Sequence, residues 1–219
     1  MFRLLLIFIF SFIKITIFSQ VNYYKNCNNL NDTNNFLFPN EFLFDTINLF
    51  GQEKNQEFFN RRFCSAIYKN IYYSEILRKL QEPKLYRNYP NEVYRFTWQG
   101  YLATLHNPLS IRIENNNGNI IMYIKYNKKN IMVSDTLLLD KQVWTELKNK
   151  IDSLNFWEIS PVEKTEIVVL DGSVWILEGK KGNLYHMVHR KSGKNKEIGE
   201  ICMYLIKKSK LKIRKKELY

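Results

Sequence analysis

The chain has 219 residues, a length that favours one domain, or one domain with a small appendage. Hydrophobic residues make up 45% of it, enough to build a core without metal ions or a dense disulfide framework. The formal net charge is +12, and we favour the interpretation that it only reflects the amino-acid usage of an AT-rich genome. The alternative is attraction to anionic surfaces such as lipid headgroups, polysaccharide or nucleic acid.

Residues 1–19 have the form of a signal peptide. Arg3 precedes an apolar run from Leu4 to Ile13, and Lys14 interrupts the run before it reaches the length of a membrane-spanning helix. We therefore expect cleavage before Gln20, export to the periplasm, cell envelope or extracellular space, and no spanning segment in the mature chain. An uncleaved anchor stays open, because Ile17 stands where a small residue is usual.

If the chain is exported, its three cysteines lie in an environment in which a disulfide can form. Cys202 lies on an apolar helical stripe and is expected to be buried as a thiol. Cys27 and Cys64 are the candidate pair. Closing their loop of about 38 residues would contribute about 4 kcal/mol. Three unpaired thiols are the alternative.

Four segments follow one another along the chain. Residues 1–19 are the predicted signal peptide, and residues 20–35 form an irregular, Asn-rich lead-in. Residues 36–82 are predicted to be a helical N-terminal segment, with helices at about 40–50 and 52–70 and a further turn at 74–80. Two prolines in "PKLYRNYPN" mark the junction to an α+β domain over residues 92–213.

Antiparallel β-meanders packed with amphipathic helices are predicted for this domain. The predicted strands are "VYRFTWQ", "LSIRIE", "IIMYIKY", "IMVSD", "TEIVVL", "SVWILEG" and "LYHMVHR". A helix capped by Asp140 is expected from about Lys141, and a final helix from about Lys196 to Ser209. The Asp171-Gly172 dipeptide is expected to be a hairpin turn.

Two parts of the domain resemble each other. When "IRIENNNGNI" is placed over "WILEGKKGNL", Glu114 matches Glu178 and Gly118 matches Gly182. This favours two related meander-plus-helix units, although turn residues recur for general reasons, so coincidence stays open. Glu114 and Glu178 could form an acid/base pair, but their place before each turn favours ordinary solvent-facing strand ends.

The stretch "LDGSVWILEGKKGNLYHMVHR" gathers histidines, acids and a tryptophan. On a strand His186 and His189 point to opposite faces, so they cannot bind one metal ion together. We therefore predict a buried meander in which Trp175 is a core residue, and in which replacing His189 has little effect. His106 lies in a predicted loop. The weak site candidates are His106, His186 and Glu178, and no catalytic residue, cofactor or metal ligand is assigned.

No phosphate-binding loop, dinucleotide fingerprint, zinc-protease motif or CxxC pair occurs in the sequence. The C-terminal tail "KKSKLKIRKKELY" is strongly basic. It is either an anion-binding element or, as is more usual, a solvated end without a ligand.

From about Tyr94 to Ile213 the chain resembles a group of uncharacterised, mostly exported bacterial proteins. The shared segments are "YRF", "LHNP", "RIE", "FW", "LDG", "WILEG" and "YH". No activity comes with the resemblance, which implies the domain boundaries and an exported location. His189 stands where such proteins have an acid.

These features favour an exported, non-catalytic binding or envelope-associated module. The expected partner is a protein or an anionic envelope component, and export makes nucleic acid an unlikely ligand. The alternative is a hydrolase with a loop-borne site that the sequence does not reveal.

Overall fold

The computed structural model describes residues 36–39, 42, 56–100, 106–163, 172–214 and 218, without the side chains of residues 56–65 and 195. In this part of the chain, six strands form one antiparallel sheet in the order β4-β3-β2-β1-β5-β6. The strands are β1 (Glu92–Gln99), β2 (Leu109–Asn116), β3 (Asn119–Lys128), β4 (Ile131–Leu139), β5 (Val174–Lys181) and β6 (Leu184–Lys191).

Helices cover both faces of the sheet. Helix α1 (Gln56–Lys79) packs on one face, which we call the α1 face, where Leu77 joins Ile176 and Met187 in a core cluster. Helices α2 (Lys141–Ser153) and α3 (Gly199–Lys208) pack on the other, the α2–α3 face. Short 3-10 helices occur at Phe156–Glu158 and Gly193–Asn195. The predicted α+β class is confirmed.

Local sequence signals account for the ends of several elements. Asp140 caps α2 as predicted, because its carboxylate accepts a hydrogen bond of 2.7 Å from the Gln142 amide. Asn117 and Gly118 both have positive φ values, +50° and +87°, as a two-residue hairpin turn of the I′ type requires. Helix α1 ends where Gln81 adopts a φ of +53° and the Glu82 amide reaches back to the Leu77 carbonyl, which carries Glu82 over the sheet.

The larger core lies between the sheet and the α2–α3 pair. Trp175 is fully buried there, with its ring 5.0 Å from that of Phe96, and its indole N–H donates to Ser173 Oγ at 2.8 Å. Gly179 allows the close approach of two aromatic side chains, since a Cβ atom at this position would lie 2.7 Å from Phe156 and 2.9 Å from Tyr94. Trp175 is thus a core residue, as predicted.

Several predictions can be compared directly with the strands and helices. Helix α1 runs to Lys79 without the break expected near residue 70, and α3 is shorter than predicted at its N-terminal end. The signal peptide, the lead-in, most of the helix predicted at 40–50, the strand "TEIVVL" and Asp171 lie outside the described residues. No described helix is long and apolar enough to cross a membrane.

The two proposed units contribute to the same sheet, on either side of the junction between β1 and β5. Glu114 and Glu178 both lie on the α1 face, as the overlay requires. The hairpins differ by one residue, however, because Gly118 is the second residue of its turn whereas Gly182 is the first. The duplication remains a prediction.

We predict that Trp175→Ala lowers the free energy of unfolding by about 3–5 kcal/mol, because it leaves a large cavity in the α2–α3 core. The matched control is Leu138→Ala, since Leu138 is a large apolar residue of the same sheet that is 77% exposed. The control is expected to change stability by less than about 0.5 kcal/mol. Urea unfolding measures both, and equal losses would contradict this placement of Trp175.

Candidate functional site

The most unusual feature of the sheet is a row of charged side chains buried on its α1 face. The register places Glu178 of β5, Arg95 of β1 and Arg112 of β2 side by side, with Tyr123 of β3 next in the row. Arg95 and Glu178 have fully buried side chains, and Arg112 is only 7% exposed. Buried charges are costly unless they are paired, so their partners decide what this row can do.

Arg95 and Glu178 form a bidentate ion pair. Arg95 Nε donates to Glu178 Oε2 at 2.6 Å, and Arg95 Nη2 donates to Glu178 Oε1 at 2.9 Å. The remaining guanidinium nitrogen, Nη1, donates to the Pro83 carbonyl at 2.7 Å. The hydroxyl of Tyr185 on β6 also donates to Glu178, at 2.8 Å. This pair therefore joins three strands to the chain that follows α1.

Glu82 is the centre of the row, although it belongs to no strand. Its Oε2 accepts from Arg112 Nε at 2.9 Å and lies 3.5 Å from Arg95 Nη1, while its Oε1 lies 3.3 Å from Lys125 Nζ. The Lys125 ammonium also donates to the Gln81 carbonyl at 2.7 Å. Glu82 thus contacts a cation from each of β1, β2 and β3.

Glu114 completes the arrangement at the far end of β2. Its Oε2 accepts from Arg112 Nη1 at 2.6 Å and from the Tyr89 hydroxyl, and its Oε1 accepts from Asn91 Nδ2 at 3.3 Å. The Arg112 guanidinium is also 4.0 Å from the centre of the Tyr123 ring, a cation–π contact. We call the six charged residues the ionic cluster; they are Arg95, Arg112, Lys125, Glu82, Glu114 and Glu178.

The ionic cluster is electrically balanced, with three cations and three carboxylates. Burial by itself would lower the pKa of Arg95. The attraction of the Glu178 and Glu82 carboxylates outweighs this effect, so the pKa of the guanidinium is raised. Burial, and then the charge of Glu178, raises the pKa of Tyr185 well above its usual value. The cluster can therefore hold residues 82–91 against the sheet as a set of fixed charges.

The prediction that Glu114 and Glu178 face solvent at strand ends is wrong. Both are buried, because residues 82–91 cross over the strands and supply Glu82, Tyr89 and Asn91 to the α1 face. Strand alternation correctly placed these polar residues opposite the aromatic core. It could not show that a further segment of chain covers them.

Arg95, Arg112 and Glu82 are not among the site candidates predicted from the sequence. The available signal was the presence of one arginine in each of two strongly apolar neighbouring strands, "VYRFTWQ" and "LSIRIE", together with a glutamate in "LSIRIE" and another in "SVWILEG". Opposite charges in strands that pair suggest contacts across the sheet. Nothing in the sequence connects Glu82 to them.

The two histidines of β6 lie on opposite faces of the sheet, as predicted. His186 is on the α2–α3 face, where its ring centre is 5.1 Å from that of Phe156 and its Nε2 donates to the Ile159 carbonyl at 2.9 Å. Burial lowers its pKa. The described residues contain no group of three His, Cys, Asp or Glu side chains that could hold a metal ion.

His189 lies at the boundary between the sheet and α1. Its Nε2 is 3.0 Å from the Tyr73 hydroxyl, and its amide donates to the Pro161 carbonyl. Burial, followed by the positive charges of Lys69, Arg190 and Lys191, lowers its pKa to about 3. The expectation that replacing His189 has little effect is revised, because its ring links α1 to β6.

The remaining candidates have simpler surroundings. The His106 ring lies 4.9 Å from that of Tyr126, before the β2 strand. Cys202 is a buried free thiol of α3, as predicted. Cys27 and the Cys64 side chain lie outside the described part of the chain, so their disulfide stays a prediction.

We predict that Arg95→Met lowers the free energy of unfolding by about 3–5 kcal/mol, because it leaves Glu178 and Glu82 buried without this cation. Arg95→Met combined with Glu178→Met should recover part of the loss, since one uncompensated charge disappears. The control is Lys79→Met, which removes a lysine paired with Glu75 on the exposed surface and should change stability little. An Arg95→Met protein as stable as the parent would contradict the ionic cluster.

We also predict that the stability of the protein falls as the pH is lowered from about 6.5 towards about 3. The unfolded chain binds a proton on His189 with a pKa near 6.5, whereas the folded protein binds it only near pH 3, so acid favours unfolding over this range. His189→Gln should lower the stability at pH 7 and make the loss between pH 7 and pH 4 smaller. His106→Gln is the control for loss of one imidazole, and an unchanged pH dependence in His189→Gln would refute the prediction.

Comparisons with known proteins add little. No protein family model matches the chain, and no curated protein matches it. Among solved structures, a "putative adenylate cyclase" from Bacillus halodurans aligns with 63% of this chain and 82% of its own, at 12% identity and a TM-score of 0.21. That TM-score is too low for an argument about fold or function.

Proposed function

We propose that the protein is an exported, non-catalytic binding module that associates with the cell envelope through an anionic partner. The proposal rests on one observation: the buried carboxylate and histidine side chains at the sheet are engaged in ion pairs and hydrogen bonds within the fold. The carboxylates of Glu82, Glu114 and Glu178 neutralise buried cations, and His186 and His189 bind the backbone and Tyr73. Their chemistry is used in holding the fold together.

The distribution of charge supports an anionic partner. Nine described glutamates each lie in an ion pair with a lysine or arginine; they are Glu75, Glu82, Glu92, Glu114, Glu146, Glu163, Glu178, Glu197 and Glu200. The chain nevertheless has 33 basic residues against 21 acidic ones. Among the described residues the buried ionic cluster is neutral, and basic side chains such as Lys181, Lys210 and Lys212 are exposed, where they attract anions.

The hydrolase alternative would need a histidine or carboxylate placed to act on a substrate. The described contacts of His106 and Glu178 do not favour it: His106 packs against Tyr126, and Glu178 is held by Arg95 and Tyr185. The binding module is the function that these contacts support best.

We predict that cell fractionation recovers the protein with the envelope at low ionic strength and that about 1 M salt releases it, because salt screens contacts between exposed charges. Washing with an equal concentration of a neutral solute such as sucrose is the control and should leave the protein bound. Recovery in the cytosolic fraction would refute the proposal. Envelope retention that resists salt would show that charge is not what holds the protein there.

A further inference from the structure

The chain after α3 carries a concentrated positive charge. Residues 207–214 read "KKSKLKIR", with five basic residues and no acidic one, and we call them the basic segment. The sequence favoured a solvated tail for this region. In the structure, however, apolar contacts hold this segment against the core, and these contacts fix where its charged residues lie.

Apolar contacts anchor the basic segment to the α2–α3 core. Leu211 and Ile213 pack against this core, and beyond them Leu218 is buried, with its carbonyl accepting a hydrogen bond of 3.3 Å from Ser173 Oγ. The buried Ser209 hydroxyl donates to the Ile206 carbonyl at 2.7 Å and accepts from the Leu211 amide at 3.3 Å. The backbone is thus held in place before any ligand arrives.

Burial alternates along this segment. Leu211 and Ile213 are half-buried, whereas Lys210, Lys212 and Arg214 are exposed. The apolar residues of the segment pack against the core, and its basic residues at alternate positions face solvent. The exposed cations therefore follow one another along the outer side of the segment.

Two of these cations do not neutralise a carboxylate of the described residues. Lys208 pairs with Glu146 at 3.0 Å, but Lys210 and Lys212 take part in none of the ion pairs found among the described residues. Cations whose backbone is already fixed lose less conformational entropy on binding than cations of a flexible tail. This arrangement favours a ligand with several negative charges.

We propose that the basic segment is a binding site for a linear polyanion, a polymer with a phosphate or carboxylate group on each repeating unit. The inference rests on the proposed function and specifies its partner. Cations that follow one another along one anchored segment match a polymer with charges along its length, whereas a membrane surface is better matched by a broad basic patch. The polymer lies along Lys210, Lys212 and Arg214.

The test compares two double variants that each remove two positive charges. Lys210→Gln with Lys212→Gln changes the basic segment. Arg87→Gln with Lys181→Gln is the matched control, because both residues are exposed and Arg87 lies beside Tyr86 on the α1 side. The control also matches backbone conformation, since φ is +62° at Lys210 and +68° at Arg87. Thermal unfolding of both variants should equal that of the parent; if the double variant unfolds, Lys212→Gln alone replaces it.

Binding is measured with three probes at about 0.15 M salt, where the Debye length is near 8 Å. These are polygalacturonate, long-chain polyphosphate, and vesicles containing about one third anionic lipid. The parent is expected to bind at least one of the two polymers more tightly than the vesicles. The Lys210/Lys212 variant should weaken polymer binding about tenfold or more, and the control variant less than about threefold.

The other outcomes separate the two proposals. Equal weakening in both variants, or none in either, would overturn the basic segment as the site while leaving an anionic partner in place. Binding to the vesicles alone would replace the polymer with a lipid surface. A parent protein that binds none of the three probes would overturn the polyanion site, and envelope fractionation would then decide the proposed function independently.

Discussion

The ion pair between Arg95 and Glu178 is the contact on which the α1 side of the molecule depends. Both side chains are fully buried, so each charge requires the other, and the network continues through Glu82 to Arg112 and Glu114. Because Glu82 comes directly after α1, the same network fixes where the helix ends and where the following chain crosses the sheet. A hydrophobic contact of equal area would not specify this crossing so narrowly, since apolar contacts are not directional.

The two faces of the sheet are stabilised in different ways. The α2–α3 face is a conventional core of aromatic and aliphatic side chains, in which Trp175, Phe96 and Phe156 are packed closely. The α1 face combines a smaller apolar cluster with the ionic cluster and with the Tyr73–His189 contact. Acid therefore destabilises the α1 face through His189, whereas a cavity left by Trp175 destabilises the opposite face.

The distribution of charge connects the fold to the proposed function. Inside the molecule, every carboxylate of the ionic cluster meets a cation, and on the surface most described glutamates are also paired. The basic segment differs from both of these regions. Its apolar residues pack against the α2–α3 core, while Lys210 and Lys212 are exposed and form no ion pair with a described residue. Packing of Leu211, Ile213 and Leu218 thus anchors a segment whose basic side chains are exposed.

The alternation of apolar residues, the Asp140 cap and the Asn117-Gly118 turn were sufficient to predict the α+β class and four strands of the first meander. They were also sufficient to place His186 and His189 on opposite faces and Trp175 in the core, because all of these follow from local periodicity and turn chemistry. Only the tertiary structure decided that Glu114 and Glu178 are buried, that Glu82 joins them, and that the basic segment is anchored. These facts depend on residues 82–91 crossing the sheet and on residues 207–214 and 218 lying against the α2–α3 core. A contact between segments far apart in the chain leaves no periodic signal in either of them.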